Sequence, residues 1–240
     1  MKTVVGVDGC KTGWVSVALT GDEAEVRVFD NIRQLWNMYK GASVILIDIP
    51  IGLLDGGKEP RLCDVQARQL LGPRRSSVFP VPVRGVLECD TYEEACALNF
   101  DKTGKKISKQ AWNIVPKIKE VDAFLKDKPK SQDKIRESHP EVCFMTLQSQ
   151  PMDHAKKNPV GFLDRLKMLM QFRPDSEEII RQAAKEFTQS DVATDDVVDA
   201  LALAITASVR ADKLKTLPKT PPKDGVGLPM EMVYRPVKRK

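Results

Sequence analysis

TVVGVDGCKTGWVSVAL, residues 3–19, decides how the chain folds. Val4, Val5 and Val7 crowd together and are β-branched, as a strand covered on both faces requires. Gly9 and Gly13 bracket a short polar turn, and WVSVAL then starts a second strand. The stretch predicts a hairpin with one acid, Asp8, at its lip. Two roles are open for that acid: a group presented for chemistry at a strand end, or a turn residue that bonds its own backbone before Gly9.

Outward from the hairpin, residues 24–30 (AEVRVFD) alternate like a strand exposed on one side. Asn31 suits the cap of a helix reaching about Tyr39, with Ile32, Leu35, Trp36 and Tyr39 on its buried face. Residues 44–47 (VILI) form a fourth, fully buried strand; Asp48 follows, and Pro50 ends regular pairing. Asp48 thus repeats the position of Asp8. Open α/β sheets bind ligands outside the carboxyl ends of their strands, and two acids there repel unless a cation lies between them.

Strand-like runs then vanish from 55 to 132, which predicts a helical insertion after the fourth strand. Arg61, Asp64 and Arg68 fall on one face of a helix that ends near Gly72. In the PRRSSVFPVPVRG that follows, Arg74, Arg75, Ser76, Ser77 and Arg84 suit a grip on phosphate through guanidinium forks and hydroxyls. A surface ion pair beside a polar loop is the alternative. Helices are expected near 92–99 and 109–125, and the polar linker KDKPKSQ closes the insertion. Residues 134–144 (KIRESHPEVCF) predict an edge or bulged strand, in which Ile135, Glu137, His139 and Glu141 share one face and Pro140 bars a central place. An edge strand charged to discourage pairing has the same pattern. Packing helices are expected near 159–170 and 175–188.

The third acidic stretch is TDDVVDALALAITASV, residues 194–209. Thr194 caps a helix whose first-turn acids, Asp195 and Asp196, complement the positive end of its dipole. Asp199 lies a turn further in, three residues after Asp196 and four after Asp195, with the apolar run of a buried helix beyond it. Like charges at that spacing cost about 0.2–0.5 kcal/mol even when exposed. A bound cation removes the cost.

Composition narrows the chemistry. With 240 residues, 42% of them hydrophobic, the chain suits a single α/β domain with an insertion. No apolar run approaches the roughly 18 residues of a membrane span, and MKTVVGVDG has no signal-peptide pattern, so a cytoplasmic protein without a membrane partner is expected. The five cysteines include no CxxC pair, and His139 and His154 are the only histidines, so carboxylates are the expected ligands of any metal. From Lys213 onward, eight basic residues face Asp224 and Glu231. That surplus leaves residues 1–212 near −1 out of the total of +5, so the expected basic, Pro-rich tail, about 213–240, holds the positive charge and the body does not. Nothing in the sequence signals an oligomeric state.

Asp8, Asp48 and the Asp196/Asp199 pair each sit at the working end of a buried element. Hard oxygen ligands of this kind suit Mg²⁺ or Mn²⁺, and two such ions serve phosphodiester hydrolysis. GVDGCKTGW resembles the first-strand motif of RNase H-like nucleases of the Holliday-junction resolvase type. LIDIP resembles their second acid at a strand end, and DxxDALA their last helix, with Asp196 and Asp199 on its two acids. As an ordered set, GVDGCKTGW, IDIPIGL, RLCDVQAR, LGPRRSSVFPVP, HPEVCF and DDVVDALA resemble the DUF429 family of predicted RNase H-like nucleases.

The resemblance implies an α/β fold with an RNase H-like mixed sheet flanked by helices. It also implies a metal-dependent nuclease or phosphodiesterase acting on nucleic acid or a nucleotide. Asp8, Asp48, Asp196 and Asp199 would hold the metal; Glu141 is a further acid, with His139 beside it as a proton carrier. Arg61, Arg68, Arg74, Arg75, Ser76 and Ser77 would position a substrate phosphate. The chain departs from the resolvase pattern in having Asp48 where that pattern has Glu, which shortens the reach. Two rival classes are a phosphotransferase of the actin and sugar-kinase type, which needs a duplicated domain, and a non-catalytic nucleic-acid or nucleotide binding module.

Overall fold

The sheet begins where the valine run predicts. β1 (Val4–Cys10) pairs antiparallel with β2 (Gly13–Thr20), and β2 with β3 (Glu23–Phe29). α1 (Ile32–Tyr39) follows, capped by the Asn31 side chain, which accepts the Gln34 N–H at 3.0 Å. β4 (Val44–Ile47) runs parallel to β1 and β5 (Ile135–Glu137) parallel to β4, giving the five-stranded order β3-β2-β1-β4-β5. These elements come from a computed structural model, which describes residues 2–236.

Side chains alternate across the sheet with period two, and that parity sorts the molecule into two layers. Val5, Val7, Ile45, Ile47 and Ile135 point to one face. There they meet α1 and α4 (Lys109–Asp127), the longest helix of the segment between β4 and β5. The same segment holds α2 (Leu62–Leu71), 3₁₀ turns at Gly72–Ser77 and Arg84–Glu88, and α3 (Tyr92–Thr103). Val4, Val44 and Leu46 point to the opposite face, where α5 (Pro140–Gln148), α6 (Pro159–Phe172), α7 (Ser176–Glu186) and α8 (Thr194–Ala207) pack.

α8 is buried from Val197 to Ala207 and lies directly on β1. Gly6 makes that approach possible: a Cβ there would stand 2.0 Å from the Ala200 carbonyl oxygen and 2.3 Å from the Ala204 nitrogen. The backbone of α8 therefore rests on the backbone of β1, and every side chain of the first turns of α8 is fixed relative to Asp8.

Three expectations need correction. Residues 134–144 do not form one strand: pairing stops at Glu137, and Pro140 opens α5, because the first turn of a helix loses nothing by lacking an N–H. Ala193, not Thr194, is the N-cap of α8, and the Asp196 carboxylate accepts the Ala193 N–H at 3.2 Å. Over the described residues the basic, Pro-rich C-terminal segment is folded in and not a tail: β6 (Lys215–Leu217) pairs with β7 (Met232–Tyr234), and Leu228, Met230, Met232 and Val233 are buried. Lys238, Arg239 and Lys240 lie outside the described residues. Among the described residues, no helix is long and apolar enough to cross a membrane.

Candidate functional site

Register places the first two acids side by side. Val7 is opposite Ile47, and the Asp48 N–H donates to the Val7 carbonyl at 2.9 Å, so Asp8 and Asp48 lie on adjacent strands one step further on. Parity turns both toward the α8 face. α8 brings Asp196 and Asp199 to the same end, and Glu141, in the first turn of α5, acts on Asp48 and Asp199 by its charge. Glu137 stays behind: it is opposite Ile47 and so faces the other layer.

Crowding buried carboxylates makes their ionised forms costly. Asp8 is held well above the ordinary acid range, first by burial and then by the charges of Asp48 and Asp199. Burial also raises Asp48, against the pull of His139 and Lys156, and raises Asp196, with Asp195 adding to the effect. Burial pushes Asp199 up to about 6, even though Lys156 opposes the shift.

Lys156 supplies the counter-charge. Its ammonium lies 2.6 Å from Asp199 and 3.2 Å from Asp195. Burial alone would favour the neutral amine, but Asp199, Asp8 and Asp195 outweigh it and keep the lysine charged. Arg165, buried to 1% exposure, bonds Glu141 Oε1 and also donates to the His154 carbonyl at 3.0 Å and the Gly161 carbonyl at 2.9 Å.

Three buried polar atoms at this end have no hydrogen-bond partner among the described residues: Glu141 Oε2, Arg74 Nε and Arg165 Nε. Arg74 Nη2 lies 3.7 Å from Glu141 Oε1, so an unfilled acceptor and an unfilled donor belong to neighbouring side chains. Buried groups of this kind are normally paired. Hard carboxylate oxygens beside a free acceptor fit Mg²⁺ or Mn²⁺ in donor chemistry. As placed, however, no three His, Cys, Asp or Glu side chains among the described residues converge to hold a metal ion by themselves.

The expected phosphate loop divides. Arg61 is committed to buried carboxylates: it is 2% exposed and forks onto Asp64 at 2.6 Å and Glu137 at 2.8 Å, while burial pushes Glu137 up to about 7 despite that partner. Breaking such a buried pair by removing one side costs about 3–5 kcal/mol, so the Arg61 network holds the fold. Arg68 donates to the Val78 carbonyl at 2.8 Å, and Arg84 is taken by Asp122 and Asp224. Ser77 Oγ donates to the Arg74 carbonyl at 2.7 Å, and Arg75 and Ser76 are exposed. Of the set, Arg74 is the one drawn to the acids.

His139 is the N-cap of α5. Its Nδ1 accepts the Glu141 N–H at 3.2 Å, which leaves the proton on Nε2, 3.3 Å from the Ser77 carbonyl. Both nitrogens are thus engaged, and the ring ties the 72–77 turn to α5; serving as a proton carrier would mean giving up one of these bonds. A cavity of about 150 Å³ opens on the other side of Asp8 and Asp48, with Phe79, Val81, Ile114 and Lys117 in its wall.

Lys156 and Arg165 were not among the expected site residues. The signal that a cation was required lay in the clustered acids, but nothing local separates Lys156 from its neighbour Lys157.

A family model described as "Protein of unknown function (DUF429)" matches residues 6–223. No curated protein and no solved structure matches the chain.

Proposed function

The chain belongs to the DUF429 family, and from that premise we propose that it is a metal-dependent hydrolase of phosphoester bonds in nucleic acids or nucleotides, on an RNase H-like fold. One observation carries the reading: Asp8, Asp48 and Asp199 come from three separate elements to one end of the sheet, beside a Glu141 oxygen with no partner among the described residues. Burying this much like charge costs stability, and strongly raised carboxyl pKa values of this kind cluster at functional sites. A mixed five-stranded sheet with carboxylates at the ends of β1 and β4 and on the helix crossing them supports the RNase H-like assignment.

Asp8, Asp48 and Asp199 would hold Mg²⁺ or Mn²⁺, with Asp196 and Glu141 as further carboxylates. When bound, such an ion supplies Lewis-acid charge at the phosphoryl oxygens. The chain's own contribution is position. Arg74 presents guanidinium N–H groups to a phosphate that the carboxylates would otherwise repel. The cavity of about 150 Å³ beside Asp8 and Asp48 matches the space that accepts a benzene ring. That size favours one unstacked base over an intact duplex.

A turnover screen with Mg²⁺ and Mn²⁺ over mononucleotides, single strands, duplexes and branched DNA tests the proposal, with Asp8→Asn as the control. Metal-dependent release of product by the wild type and not by the variant is expected. Absence of turnover on every class, together with no change in melting on adding either metal, would refute it.

A further inference from the structure

The loop between α5 and α6 delivers a charge to the carboxylates, and it is built to do so. Arg165 holds the His154 carbonyl at 3.0 Å, the Asn158 N–H donates to the Ala155 carbonyl at 2.9 Å, and Gly161 lets α6 pack against that same carbonyl. A Cβ at Gly161 would stand 2.2 Å from the Ala155 oxygen. The loop is therefore pinned on both sides of Lys156, and the guanidinium that pins it also bonds Glu141. Lys157, the next residue, shares none of these carboxylate contacts among the described residues.

We propose that Lys156 is a built-in cation of this site, whose ammonium takes the place of a second metal ion at Asp199 and Asp195, so that the carboxylates bind one divalent ion per chain. The inference rests on the metal-binding assignment above and sets its number. With Lys156 on Asp199 Oδ2 and Asp195 Oδ2, and Asp8 Oδ1 accepting the Gly9 N–H at 2.7 Å, the oxygens left for an ion are Asp199 Oδ1, Asp8 Oδ2, those of Asp48 and Glu141 Oε2, which has no partner among the described residues. A fixed ammonium neutralises charge as an ion does, but it brings no open coordination position and cannot exchange with solvent metal.

The test is a calorimetric titration of the full chain, stripped with EDTA and dialysed, with MnCl₂. Wild type is expected to bind one Mn²⁺. Lys156→Met, which keeps the apolar stem, is expected to bind two, the first at least tenfold more tightly than wild type. Lys156→Arg keeps the charge and should bind one. Two ions in the wild type, or one ion of unchanged affinity in Lys156→Met, overturns the inference and leaves the metal-binding assignment standing. No Mn²⁺ bound by any of the three proteins overturns that assignment as well. If Lys156→Met does not fold without metal, the wild-type stoichiometry still decides, and recovery of its melting transition on adding Mn²⁺ supports the proposal.

Discussion

Lys156 and Asp199 are 43 residues apart in the chain, and their ammonium and carboxylate meet at 2.6 Å in a part-buried contact. Asp199 remains hard to ionise, at about 6, with a cation in direct contact, because burial and the charges of Asp48 and Glu141 outweigh it.

That balance gives stability a pH dependence with a definite sign. A carboxyl whose folded pKa exceeds its unfolded value of about 3.9 contributes stability that is complete below the unfolded value and is lost as pH rises through the folded one. Asp199, at about 6, should therefore cost the metal-free protein roughly 2–3 kcal/mol above pH 6 and progressively less toward pH 4. Asp199→Asn does not titrate, and it leaves Lys156 its contact with Asp195 and the charge of Asp8. In EDTA its melting temperature should exceed that of wild type at pH 7.5, with the gap shrinking toward pH 4.5, and it should gain less from added Mg²⁺. A lower melting point at pH 7.5 with an undiminished Mg²⁺ shift would mean that Asp199 does not share in the site.

Arg74 and Arg75 are equivalent in the sequence and different in the structure. Arg74 is drawn toward Glu141, with its Nε buried and unpaired among the described residues, whereas Arg75 is exposed. Arg74→Ala should raise KM for a phosphate-bearing substrate about tenfold or more, since a charge-assisted fork contributes roughly 1.5–3 kcal/mol. Arg75→Ala should leave KM unchanged and move stability by less than about 0.5 kcal/mol. Steady-state kinetics on the best substrate of the screen decides; equal effects of the two would remove Arg74 from its assigned role.

Arg165 joins Glu141 to the loop that carries Lys156, so its loss should be felt in both places. Arg165→Met strands a buried carboxylate, at a cost of about 3–5 kcal/mol. It also frees the His154 carbonyl. Urea unfolding should show the lost stability, and tryptic cleavage after Lys156 or Lys157 in the folded protein should accelerate. Loss of stability without faster cleavage would show that the loop is held by Gly161 and Asn158 alone.

The hairpin, the two strand-end acids and the acidic helix were legible because each rests on local periodicity: adjoining β-branched residues, an acid where a buried run ends, and an apolar run after Asp199. Residues 134–144 were misread for an equally physical reason. Alternating polarity fits a strand as well as a strand that stops, and only the partner strand determines that pairing ends at Glu137. Parity then separates acids that the sequence grouped: Glu137 faces Arg61 in one layer, and Glu141, turned by the helix that Pro140 opens, faces the site in the other. The fates of Arg61, Arg68 and Arg84 depend on Glu137, Val78, Asp122 and Asp224, distant acceptors that no spacing rule names.

The strongest link between fold and site is Gly6. A methyl group there meets the Ala200 oxygen at 2.0 Å and the Ala204 nitrogen at 2.3 Å, both backbone atoms of a buried helix that no side-chain rotation can move. Gly6→Ala must push α8 off β1. Ordinary overpacking costs about 1–3 kcal/mol, and a backbone clash belongs at or beyond the upper end. Because Asp199 precedes Ala200 and Asp8 lies two residues beyond Gly6, the same displacement separates two of the carboxylates. The variant should unfold at lower urea and lose most of its melting shift with Mn²⁺, even at temperatures where it remains folded by circular dichroism. Gly41→Ala, with nothing within 4 Å of the new Cβ, is the control and should match wild type in both measurements. A Gly6→Ala protein that is destabilised but keeps the full Mn²⁺ shift would show that the distance between β1 and α8 does not set the metal site, and would move the ligands to β1, β4 and α5.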